Sequence, residues 1–106
     1  MDQKVKNQVY VNAISRLQNW YTQFELARWF SLGESNTDSK RIARTSINRK
    51  LYPEGHPGKR GANVSDVLVA GLLDHLHDEG YDLSTLQFDA TGKVIDLKKR
   101  PIKKGG

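Results

Sequence analysis

The sequence predicts an α+β domain, mostly helical, that ends in a C-terminal β-hairpin. Three observations point to it. Apolar residues recur at spacings of three and four in four separate stretches, the period of amphipathic helices. Turn residues separate the stretches, among them Gly33, Pro53, Gly55, Pro57, Gly58 and Gly80. Near the end, the segment LQFDATGKVIDL reads as two short strands around Ala90-Thr91-Gly92. The 106 residues suit one domain, assigned to 1–97, followed by a mobile basic tail over 98–106.

Residues 3–19 read as the first helix, with Tyr10, Ala13, Ile14, Leu17 and Trp20 as its apolar stripe. That stripe suits a core helix, or a dimerisation helix. Residues 22–32 read as the second. Thr22 and Glu25 form a T-x-x-E capping box, in which the hydroxyl takes an orphan amide and the carboxylate reaches back. Leu26, Ala27 and Phe30 face inward with Phe24 and Trp29 nearby, and Gly33 supplies the stop. GESNTD is then a polar connection, longer than the three or four residues of a tight helix-turn-helix link.

The third helix runs over 39–51, with Thr37, Asp38 or Ser39 as its cap. It ends before Pro53, which disfavours a helical residue ahead of it. YPEGHPGKRGAN reads as a loop or short hairpin with GKRG at its tip. The fourth helix covers 65–79, with Ser65 as N-cap, the stripe Val69, Leu72, Leu73 and Leu76, and Gly80 as the stop. Residues 82–86 make a connection, and 87–89 and 93–97 are the hairpin arms.

Charge is unevenly placed. The net charge is +5, which suggests an anionic partner. Residues 39–60 hold seven of the 17 basic residues and a single acid, Glu54. The segment from Lys98 to Lys104 holds five more and no acid, whereas 66–82 carries five acids and no Lys or Arg. A merely soluble surface mixes its signs.

On the third helix Ala43, Ile47 and Leu51 fall on one side. Arg41, Arg44, Thr45, Asn48 and Arg49 fall on the other, flanked by Lys40 and Lys50. Arginine suits bidentate bonding to phosphate or guanine, and asparagine suits adenine. Arg44, Thr45 and Asn48 are therefore assigned to base edges, and Lys40, Arg41 and Arg49 to the backbone, with Lys50 also counted among the DNA-binding residues. Lys59 and Arg60 on the following loop are assigned to phosphates or an adjacent minor groove. The tail residues Lys98, Lys99, Arg100, Lys103 and Lys104 add phosphate contacts. The acidic fourth helix is expected to face away from the duplex.

Other chemistries find little support. With no cysteine, disulfides and thiolate chemistry are excluded. His75 and His77 point about 160° apart on a helix and cannot clasp one metal. They read as surface histidines. No G-x-S-x-G, P-loop or H-E-x-x-H pattern occurs, so a non-enzymatic protein without cofactor, metal or small-molecule ligand is expected. There is no apolar run of membrane-spanning length and no apolar leader. A cytoplasmic location is expected.

TQFELARWF resembles the opening helix of a helix-turn-helix, and SINRKLYPEG its recognition-helix end with a following glycine turn. SDVLVAGLLDHLHDEGYDLSTL is similar to the helix and turn after a wing. Over 21–86 the chain thus resembles winged helix-turn-helix domains, nearest to the MerR type of bacterial regulators. The resemblance implies a dimeric reader of duplex DNA, with Arg44, Asn48 and Arg49 on the reading helix and Lys59 and Arg60 on the wing. The expected function is sequence-specific binding of double-stranded DNA by a small bacterial or phage transcriptional regulator that occupies its site. A homodimer would read two half-sites about one helical turn apart. The alternatives are an accessory or architectural DNA binder in recombination, replication or packaging, and a protein-interaction module, such as a phage-encoded inhibitor, whose basic face docks an acidic partner. RNA binding is a further rival, disfavoured because exposed aromatics do not cluster.

Overall fold

The computed structural model describes residues 1–31 and 37–101, with the backbone alone for 37–40. Its described residues form four helices and one antiparallel hairpin, an α+β fold.

Helix α1 (Gln3–Leu17) begins at Asp2, whose side chain accepts from Val5 N. Tyr10, Ala13, Ile14 and Leu17 are buried, as the stripe requires. Trp20 is not; it is 68% exposed. The helix ends in a tightened turn, with Asn19 N bonded to Arg16 O and Trp20 N to Leu17 O. That turn swings Trp20 outward and puts Tyr21 in the core.

Helix α2 (Gln23–Phe30) has the expected capping box: Glu25 N donates to Thr22 Oγ1 at 3.2 Å, and Thr22 N to Glu25 Oε1 at 3.1 Å. Leu26, Ala27 and Trp29 are buried. Gly33 and most of the GESNTD connection lie outside the described residues. Helix α3 (Thr37–Leu51) begins two residues earlier than expected. Its proposed caps have no described side chains. Ile47 is buried, and Leu51 packs on the core edge.

Helix α4 (Val64–Asp78) is capped by Asn63, not Ser65, in a second capping box with Asp66. Its buried face is also rotated from the expected one. Ala70, Leu73 and His77 are buried, while Leu72 lies outside. Ala70 allows close packing on α1, and His77 finds polar partners inside. Helices α1 and α4 run side by side in the same direction: Gln3 meets Ala62, Arg16 forks onto Asp74, and Tyr21 meets His77. Helix α2 packs on α3.

Strands β1 (Tyr81–Phe88) and β2 (Val94–Lys99) form the hairpin. Both arms are longer than expected. The assigned connection at 82–86 belongs to β1, because Leu83 and Leu86 fill the core under α4. Its pairing is irregular between Asp82 and Gln87, where Thr85 Oγ1 accepts from Lys98 N. Asp89 fastens the turn by accepting from Thr91 N, Thr91 Oγ1 and Lys93 N. These bonds hold its carboxyl below the usual carboxylate range, the Thr91 side chain contributing most.

The expected mobile tail begins too early. Lys98 and Lys99 lie in β2, and Arg100 is tied down: its N donates to Gly80 O at 2.7 Å, and its Nη1 to Tyr81 O and to His77. His77 is likewise no surface residue. Tyr21 Oη accepts from Leu83 N at 3.0 Å and lies 2.8 Å from His77 Nδ1. Burial, then the Arg100 charge, pushes the His77 imidazole below its ordinary value. With Arg100 donating to Nδ1, the neutral ring carries its proton on Nε2.

No helix among the described residues is long and apolar enough to cross a membrane.

Candidate nucleic-acid interface

The basic stretch folds into one surface built from two elements. Arg41, Ile42, Arg44 and Thr45 are exposed along the first half of α3. Beyond Pro53 the chain turns back over the end of that helix. Between α3 and this loop lies an open concavity of about 330 Å³, lined by Arg41, Ile42, Thr45, Ser46, Arg49 and Arg60. Three arginines, a threonine and a serine therefore line one depression. Those groups can neutralise and hydrogen-bond an anion such as phosphate.

The loop is a built part of the fold and contains no strand. Arg60 N donates to Arg49 O at 3.1 Å, and Arg49 Nε donates to Gly58 O at 3.0 Å. These two bonds join helix and loop at the concavity itself. From the other side, α1 holds the loop. The buried Asn7 accepts from Ala62 N at 2.9 Å and from Gln3 Nε2 at 2.8 Å, and donates to Glu54 Oε1 at 3.0 Å. Gln3 Nε2 also donates to Ala62 O at 2.7 Å. A Cβ at Gly61 would lie 2.6 Å from Gln3 Nε2, so a larger residue there would displace the Gln3 amide from its bonds. Near the tip, His56 stacks on Tyr52 with ring centroids 4.2 Å apart and accepts from Gly58 N.

Several residues assigned to nucleic acid have other work. Lys50 pairs with Asp66 at 2.8 Å, the two side chains only 14% and 13% exposed. It fastens the end of α3 to the start of α4 instead of facing outward. Lys59 folds back too, its Nζ donating to Lys50 O at 2.6 Å, where a cation complements the C-terminal carbonyls. Asn48 is half-buried, and its Oδ1 accepts from Gln23 Nε2 at 2.7 Å. A bidentate contact to adenine would have to share that oxygen with Gln23. Arg49 is shared, its Nε on the loop and its side chain lining the concavity. Arg44 stands exposed with its guanidinium carbon 5.9 Å from the Phe24 ring centroid, a cation–π pair that orients it.

Lys98, Lys99 and Arg100 sit on or beside the hairpin, whose first strand packs on α4. Lys99 Nζ lies 5.3 Å from the Tyr81 ring centroid, and Lys98 is 3.9 Å from Asp96. The side chain of Lys40, and Lys103 and Lys104 entirely, lie outside the described residues. The acidic helix is only partly a solvated face, since Asp66 and Asp74 are both paired. No group of three or more His, Asp or Glu residues converges to hold a metal ion among the described residues.

Ser46 and Ile42 join the concavity without having been singled out from sequence. Ser46 lies four residues after Ile42 and three before Arg49, on one helix face with both. Gln3, Asn7 and Glu54 position that loop from far away in the chain, and no local pattern marks them.

Compared with models of known protein families, with curated proteins and with solved structures, the chain matches none of them.

Proposed function

We propose that this protein binds duplex DNA without catalysis, as a small regulator of bacterial or phage type that acts by occupying its site. One observation carries the reading: Arg41, Arg49 and Arg60, from two separate elements, line one open concavity with Thr45 and Ser46. In this reading the concavity takes a backbone phosphate, and Arg44, beside it on α3, reaches a base edge. The pair α2–α3 then serves as the helix-turn-helix, and the clamped loop over 52–63 stands where a wing stands. Such a protein works in the cytoplasm.

The test is fluorescence anisotropy with a mixed-sequence duplex across a salt series. Affinity should fall linearly on a log–log plot as phosphates are neutralised. Selection from random DNA should then return a motif. Binding without any motif would favour an architectural role, and absence of binding at low salt by folded protein would refute the proposal.

A further inference from the structure

The start of α2 presents an aromatic ring beside the basic face of α3. Phe24 is 63% exposed and stands outside the core, while Leu26, Ala27 and Trp29 of the same helix are buried. Two contacts fix its place. Gln23 Nε2 donates to Asn48 Oδ1 at 2.7 Å, and the Phe24 ring centroid lies 5.9 Å from the Arg44 guanidinium carbon. Arg44 and Asn48 are one turn apart on α3, so both contacts fall on one row of that helix. The Thr22–Glu25 capping box holds the turn that carries the ring. At about 100° per residue, Thr45 stands between this row and Arg49. The outward face of α3 is thus flanked by Phe24 on one side and by the concavity with Arg60 on the other.

A ring at this place does not suit a phosphate, because its face is the negative part of its quadrupole. Nor is one ring a platform for successive unpaired bases. It suits an apolar group that stands among hydrogen-bonding ones. Duplex DNA carries such a group in its major groove, the 5-methyl of thymine, and phenylalanine is among the side chains that meet it. An arginine beside the ring suits the guanine edge of a neighbouring pair.

We propose that Phe24 packs on the 5-methyl of a thymine next to the base that Arg44 reaches, and so fixes an A·T pair in the site. The inference rests on the duplex-DNA reading and adds to it a contact from α2. Exposure of the ring then serves recognition: closing it on a methyl group removes apolar area that the free protein leaves in water.

Replacing thymine by deoxyuridine removes that methyl and nothing else. The duplex selected from random DNA is remade with deoxyuridine at each thymine in turn and titrated with the full chain by anisotropy. At one position affinity should fall about three- to fivefold, the fold-change of one methyl group left in water. Phe24→Ala, folded by circular dichroism, should bind the thymine duplex more weakly and lose the difference at that position. A wild-type chain indifferent to every deoxyuridine overturns the proposal, and this arm alters only the DNA, so protein folding does not enter. A selected site with no fixed A·T pair, or tighter binding to one strand alone than to the duplex, overturns it too. So does a methyl effect that persists in Phe24→Ala, which places the methyl on another side chain such as Thr45. Absence of all duplex binding refutes the DNA reading together with this one; a motif without a methyl effect refutes this one alone.

Discussion

Replacing Asn7 by alanine should disturb the candidate site from the far side of the loop. Asn7 is buried, and its side chain makes three hydrogen bonds, two of them to the loop over 52–63. The variant leaves the buried Ala62 N–H without its acceptor, which costs about 1–3 kcal/mol. It also removes a bond to the Glu54 carboxylate, worth about 1 kcal/mol more on a partly exposed loop. The sum, about 2–4 kcal/mol, is a large share of the roughly 5–15 kcal/mol that stabilises a domain of this size. Urea unfolding should show a lower midpoint with an unchanged slope. DNA affinity, measured where the variant is still folded, should fall with it, because Arg60 loses its fixed place. Asn7→Asp separates the two contributions: it keeps an acceptor for Ala62 N but sets a second carboxylate against Glu54. A destabilisation below about 0.5 kcal/mol for Asn7→Ala would refute the clamp, since that is the range of an unremarkable surface change.

Arg60→Ala should weaken binding on every duplex and reduce the salt slope by about one, read by anisotropy; an unchanged slope would remove Arg60 from the phosphate contacts. Arg44→Ala should cost about 1–3 kcal/mol on the selected site and relax preference at one base position. Lys50→Ala should destabilise the fold by about 1–2 kcal/mol in urea unfolding, since it leaves the half-buried Asp66 unpaired, while changing the salt slope less than Arg60→Ala does. The His77 imidazole is held below its ordinary value, so the unfolded chain binds the extra proton first as pH falls. Stability from the neutral ring is therefore complete above the unfolded value near 6.5 and is lost as pH drops through the folded value. Thermal melts at stepped pH should show that decline below neutrality, and His77→Gln should flatten it.

The four helices were legible because each carries its own period. The Thr22 box is a local signal, and it appears as read. Where capping signals compete, the nearest one is not always used: Asn63 took the fourth helix because Asp66 stands three residues after it, completing a reciprocal pair. Periodicity also misjudged the inward face of α4. The most hydrophobic row there, through Leu72, faces out, while Ala70 and His77 face in. What decides this is the close approach of α1 and the polar partners Tyr21 and Arg100, neither of which a window on α4 contains. The same limit hid β1, whose Leu83 and Leu86 are buried by distant helices.

For the candidate site, composition located the region but not the role of each residue. Seven cations in one stretch read as seven contacts for an anion. In the fold, Lys50 and Lys59 turn back to fasten the end of α3, and Arg49 divides its bonds between loop and concavity. The division follows the chemistry of the side chains. A lysine is a compact charge on a flexible stem, able to reach a carboxylate or a helix-end carbonyl nearby. An arginine carries a fork of donors, so one nitrogen can fix the backbone while the others still meet a phosphate. Structural use of some cations is also what gives the others a fixed position. Arg60 stands opposite Arg41 because its own backbone is bonded to Arg49, and the loop that carries it is held by Lys59, Gln3 and Asn7. A free basic loop would bring similar charge but would lose ordering entropy on every encounter with DNA, whereas a clamped one has met that cost in folding.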